Sequence, residues 1–155
     1  MTDNDAVWLA QMVVETTPDA VIVADAGGRI RLWNAGAERM FGYTAAEAIG
    51  QTLDLIIPER LRQRHWDAYH AAMAAGSTKY STGLLAVPAV RNDGQRISIE
   101  FTIALIQDEH GRLVGPAAII RDVTARFQEQ SELRKRLAEL EAAQREATEG
   151  QAAPA

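Results

Sequence analysis

Cysteine is absent from the 155 residues. That removes disulfides, thiolate metal sites and cysteine nucleophiles together, and it fits a reducing cytoplasm. An excess of positive charge is missing too. The formal net charge is −5, whereas a nucleic-acid partner calls for a basic face. No apolar run approaches the roughly 18 residues of a membrane-spanning helix. The acidic start, Met-Thr-Asp-Asn-Asp, is unlike a signal peptide. P-loop, GxSxG and HExxH patterns are absent. The nearest acidic pairs, Asp54 with Glu59 and Asp108 with Glu109, fall on expected loops and helix starts, where carboxylates cap or solvate. The expectation is a soluble, cytoplasmic, non-enzymatic protein with neither a nucleic-acid nor a membrane partner.

What is present suffices for one domain and an appendage: apolar residues make up 47% and charged residues 24% of the chain. Leu9, Met12, Val13 and Thr16 follow at i, i+3, i+4 and i+7, one helical face, and Pro18 ends it. Ala20–Asp25, a Gly27-Gly28 turn and Arg29–Trp33 read as a hairpin. Asn34 is placed to cap a short helix that stops at Gly42. Thr44 and Glu47 form a capping box for another short helix, ending at Gly50. A longer helix starts at Pro58 and stops at Gly76.

Three strands should follow: Tyr80–Arg91, Arg96–Ile106 and Leu113–Arg121, separated by turns at Asn92-Asp93-Gly94 and Asp108–Gly111. In the middle strand Ile97, Ile99, Phe101, Ile103 and Leu105 alternate with Ser98, Glu100 and Thr102, so one face is buried. The fold class is α+β, an antiparallel sheet covered on one face by helices. From Val123 the chain turns rich in Glu, Arg, Gln, Ala and Leu, hence helical. With Leu137 at a, Leu133 and Leu140 fall at d, but Gln130, Gln144 and Arg126 share the seam, so the zipper is weak. The expected divisions are a flanking helix over 1–17, a domain over 18–124, a signalling helix over 125–148 and a disordered tail over 149–155.

These segments resemble the PAS (sensory-box) family over about residues 8–124. The stretches that carry the likeness run from Pro18 to Val23, Ile30 to Asn34, Ala37 to Tyr43, Glu47 to Gln51, Arg91 to Gly94 and Arg121 to Thr124. The resemblance implies a five-stranded antiparallel sheet in the order 2-1-5-4-3, with small helices enclosing an apolar pocket against its inner face. It also implies that Asp122-Val123-Thr124 joins the last strand to a signalling helix. Since the sequence stops after that helix, the output is expected in another polypeptide, such as a kinase or regulator. The flanking and terminal helices carry enough apolar surface to suggest a parallel homodimer.

The helix after Pro58 carries Leu61, His65, Ala68, Ala72 and Ala75 along one stripe. His65 therefore faces the sheet, with alanines one and two turns on that leave room for a flat ligand. A neutral imidazole there suits the axial position of haem iron. The plainer reading is a core histidine bonded to backbone. The spacing from His65 to Gly76 and Gly94 resembles the haem-binding PAS oxygen sensors, which implies haem b with His65 on the metal. Lys79 would stand at the solvent edge near the propionates. Leu84, Leu85, Val87, Ile99, Ile119 and Ile120 are candidate walls. Leu85 stands where that subfamily has an oxygen-binding arginine, so no positioned donor is evident, and Trp33, Tyr80 and Thr82 are the candidates to reach in. His70 and His110 read as surface residues, and Trp66 as pocket rim or cover for a neighbouring surface. The alternative is a dimerising interaction module whose pocket is empty or takes a small apolar metabolite, a fatty acid or a noncovalent flavin.

Overall fold

The computed structural model describes residues 2–78 and 83–152, which fall into two compact units divided after Asp122. In the first, α1 (Asp3–Thr16) precedes the hairpin β1 (Ala20–Ala24) and β2 (Ile30–Trp33). Two short helices follow, α2 (Ala35–Phe41) and α3 (Ala45–Ala48). Two 3₁₀ turns, Leu53–Leu55 and Glu59–Leu61, lead into α4 (Arg62–Ala75). The remaining strands are β3 (Leu85–Val90), β4 (Arg96–Gln107) and β5 (Leu113–Asp122). All pairings are antiparallel, and the strand order is β2-β1-β5-β4-β3. This is the order that the family resemblance implied.

Local chemistry explains the element ends. The Thr44 hydroxyl accepts from the Glu47 N–H while the Glu47 carboxylate accepts from the Thr44 N–H, closing the expected capping box. Gly42 and Gly76 end α2 and α4 in the left-handed region. The Asn92–Gly94 turn closes with Gly94 N–H on the Arg91 carbonyl, at 3.0 Å. On β4, Ile97 and Ile99 are buried and Phe101 half-buried, facing the helices as the alternation requires. Near the start of β1, Arg121 of β5 grips Asp19 through two bonds of 3.0 and 2.8 Å.

Asn34 is a buried side chain that makes four hydrogen bonds to backbone. It is 1% exposed, and its oxygen accepts from the N–H groups of Val21 (2.8 Å) and Ala37 (2.9 Å). Its amide nitrogen donates to the carbonyls of Val14 (2.7 Å) and Asp19 (3.1 Å). One buried amide thus joins α1, the turn after it, β1 and the first turn of α2. The expected capping role is real, but it is a quarter of what the residue does.

The second unit is a single helix, α5 (Thr124–Ala152). Leu133, Leu137 and Leu140 on it are exposed, and Arg136 pairs with Glu132 at 3.2 Å. The helix continues through Gly150 to Ala152, where a disordered tail was expected from 149. Flanking Glu, Gln and Ala carry the helical register across one glycine, whose cost is only about 1 kcal/mol. The third strand was expected from Tyr80; its described part begins at Leu85, and Tyr80 lies outside the described residues.

Replacing Asn34 by Ala leaves four backbone groups unpaired, and the expected loss of stability is about 2–4 kcal/mol in urea unfolding. Asn34→Asp should cost nearly as much. It keeps the acceptor but turns a carboxylate toward two carbonyls. An Asp variant as stable as the parent would contradict this network.

Candidate ligand cavity

The inner face of the sheet and α4 do not close on each other. Between them lies a cavity of about 510 Å³, a size suited to a small ligand or cofactor. The sheet contributes Ile22 from β1, Leu85 and Val87 from β3, Ile99 and Phe101 from β4, and Ala118 and Ile120 from β5. The 3₁₀ region adds Leu53, Ile56 and Ile57. Opposite them α4 and the turn before it present Leu61, Arg64, His65, Ala68, Tyr69, Ala72 and Met73. Two alanines on a wall that faces such a sheet keep the helix from filling the space itself.

Of the residues singled out from sequence, Leu61, His65, Ala68, Ala72, Leu85, Val87, Ile99 and Ile120 all meet at this cavity. Two wall assignments need correction. Ile119 is 51% exposed and lies on the outer face of the sheet. It pairs with Val21 while Ile120 pairs with Ala20, and consecutive residues of a strand point to opposite sides. Leu84 precedes β3 and is 67% exposed, so it does not line the cavity either. Ala75 is also exposed, at the solvent end of the stripe. Lys79 lies outside the described residues.

Arg64, Tyr69 and Met73 were missed. Tyr69 and Met73 sit one and two turns beyond His65, so the helical spacing already contained them. The signal was hidden because Ala68 and Ala72 fit the same stripe and Tyr69 reads as amphipathic. Its ring is buried, and its hydroxyl donates to the Asp25 carbonyl at the β1–β2 turn. Burial and the nearby Asp25 charge push the Tyr69 hydroxyl up to about 12, so it remains a neutral donor.

Trp66 does not reach the cavity. Its ring lies over Gly28, where any Cβ would come within 2.1 Å of it, and Gly28 has φ +82°. The indole N–H donates to Asp54 at 2.8 Å. Trp66 and Tyr69 together fasten α4 to the β1–β2 turn beside the His65 ring. The His65 ring lies edge-on to Trp66 at 4.9 Å and tilted to Tyr69 at 5.7 Å.

His65 Nδ1 is buried and has no hydrogen-bond partner. A core histidine held by backbone would spend that atom on a carbonyl, as buried polar atoms ordinarily do. Burial holds the imidazole below its ordinary value of 6.5, against the opposing pull of the Asp54 carboxylate. The ring is therefore neutral and keeps a lone pair. His70 is exposed and stacks on Trp66 at 5.8 Å, and His110 is exposed beside Glu109 at 3.6 Å, so both behave as surface residues.

A five-stranded antiparallel sheet whose inner face, together with α4 and the 3₁₀ region, encloses a largely apolar cavity is the architecture of a PAS sensory domain. The PAS fold profile matches residues 14–128, and the chain belongs to the PAS family. It is 34% identical over 129 residues to the sensor protein FixL of Bradyrhizobium diazoefficiens, covering 83% of this chain and 25% of FixL. To the oxygen sensor protein DosP of Escherichia coli it is 23% identical over 133 residues, covering 86% of this chain and 16% of DosP. The chain thus spans a quarter or less of the length of these relatives. A PAS domain structure from Colwellia psychrerythraea superposes with a TM-score of 0.69 at 25% identity, covering 78% of this chain and 99% of that one. No helix among the described residues is long and apolar enough to cross a membrane.

The folded protein resists protonating His65, whereas the unfolded chain does not. Stability is therefore complete above 6.5 and declines as pH falls through that value toward the lowered folded one. His65→Gln should lose this part of the acid dependence in urea unfolding at a series of pH values. Identical slopes in both proteins would contradict the buried, neutral imidazole.

Proposed function

We propose that this PAS domain is a non-catalytic, haem-based sensor of a diatomic gas or of redox state, with His65 as the axial ligand of haem b. The observation that carries the reading is the unpartnered Nδ1 of a neutral histidine in the wall of an apolar cavity. Among the described residues no cluster of three or more His, Cys or acidic side chains occurs. One imidazole cannot hold a free ion, but it can complete the coordination of a metal that a macrocycle already carries. Haem there would supply reversible gas binding or one-electron redox. Ala68 and Ala72 leave room along α4, and Leu85, Val87, Ile99 and Ile120 offer apolar contact and keep water out.

Among the described residues, the sheet side of the cavity contributes only apolar side chains. Leu85 stands where the resemblance has an arginine, and the Trp33 N–H is committed to the Tyr43 carbonyl at 3.0 Å. Tyr80 and Thr82 lie outside the described residues. Oxygen gains more than carbon monoxide from a polar donor, so the cue is carbon monoxide, nitric oxide or redox state rather than steady oxygen. The domain acts within a soluble assembly and passes its signal to a kinase or regulator.

A second observation favours a homodimer. On α1, Val7, Trp8, Leu9 and Val13 are exposed, and on the outer sheet face Ile106 and Ile119 are exposed as well. With the exposed leucines of α5, these residues offer apolar surface to a second copy of the chain. An interaction module of this kind would bind a small apolar metabolite, a fatty acid or a flavin, or leave the cavity empty.

Two outcomes are expected. Purified protein mixed with haem should give a sharp Soret band that shifts under carbon monoxide after reduction, and the reduced protein should oxidise rapidly in air. His65→Ala should lose haem or change that spectrum, and an unchanged spectrum would remove His65 from the metal. Light scattering should give the mass of a dimer, and a monomer at high micromolar concentration would contradict the assembly.

A further inference from the structure

The polar side chains lining the cavity lie on α4 or just after it: Arg64, His65, Tyr69 and Thr78. His65 is neutral, and Tyr69 keeps its proton and spends it on the Asp25 carbonyl. Arg64 is therefore the one permanent charge on the described lining, and no acidic side chain stands among the lining residues to balance it. Its neighbour Arg62 shows what a satisfied arginine looks like here. Arg62 bonds the carbonyls of Ile57 and Asp54 and lies 3.9 Å from the Asp54 carboxylate. Arg64 makes no such bond among the described residues, and it is exposed while still lining the cavity.

Arg64, Ala68 and Ala72 follow at i, i+4 and i+8, so Arg64 stands at the head of the ridge of small residues that leaves the cavity open. A body lying against Ala68 and Ala72 meets mostly apolar described walls, and Arg64 is the one charged side chain among them. A guanidinium matches a carboxylate with two parallel bonds.

We infer that the ligand of this cavity is an amphiphile, with an apolar body and a carboxylate at its solvent-facing edge, and that Arg64 receives the carboxylate. The inference rests on the reading of the cavity as a ligand site and names the class of ligand that it selects. Haem, through its propionates, and a long-chain fatty acid share this chemistry.

The test uses two matched pairs on the full chain: haem against haem dimethyl ester, and a long-chain fatty acid against its alcohol. Haem binding is read from the Soret band and fatty-acid binding by displacement of a fluorescent apolar probe. The parent should prefer the carboxylate member of at least one pair by roughly tenfold, the value of a charge-assisted bond. Arg64→Glu should abolish or invert that preference, and Arg64→Lys should keep part of it. Arg64 is an exposed helix position, so the thermal midpoints of both variants should match the parent's. A preference confined to the fatty-acid pair, lost in Arg64→Glu, upholds the role of Arg64 and assigns the carboxylate to a fatty acid rather than to the haem propionates. A preference that survives in Arg64→Glu, or none in either pair, overturns the inference.

Discussion

The amide of Asn34 holds the entry to this fold together. Four segments meet at it, each through one backbone group that the Asn34 amide satisfies. Because the side chain both donates and accepts, it closes the end of α1 against the start of α2 while holding β1 in line with both. With β1 in place, β5 can pair beside it and β4 beside β5, so the sheet face that forms the cavity floor has its register set. A buried, fully satisfied amide of this kind specifies one arrangement rather than many.

The cavity itself follows from a shortage of volume on α4. Where a packed helix would send leucines toward a sheet, this one sends Ala68 and Ala72, and cores otherwise leave few voids. Its bulk is spent elsewhere: Trp66 rests over Gly28 and Tyr69 reaches the Asp25 carbonyl. Those two anchors hold the helix away from collapse. The empty volume and the position of His65 are thus consequences of the same few residues.

Much of this could be read from the sequence because it rests on local chemistry. The Thr44 capping box, the glycine stops at Gly42 and Gly76, the Asn92–Gly94 turn and the alternation of β4 each depend on residues close in the chain. What escaped depends on the third dimension. Ile119 and Ile120 are alike in composition, and only the pairing register with β1 decides which of them faces the cavity. Leu84 lies one residue outside β3, so its side chain follows no sheet face. The second, third and fourth bonds of Asn34 join residues 13, 15 and 20 positions apart, beyond any spacing rule. Arg64 was hidden for the opposite reason, since an exposed arginine on a helix ordinarily means nothing. The absence of a partner is what gives it meaning, and that is visible only once its neighbours are placed.

His65 presents a neutral imidazole to this cavity. The most direct measurement is NMR of protein carrying nitrogen-15 in its three histidines, before and after haem is added. The ring signals of one histidine should leave their ordinary range on addition, and this set should be absent from His65→Gln. The signals of His70 and His110 should stay close to their starting positions. Ring signals that remain unmoved for all three histidines, or a shift that persists in His65→Gln, would contradict a His65 that faces the ligand.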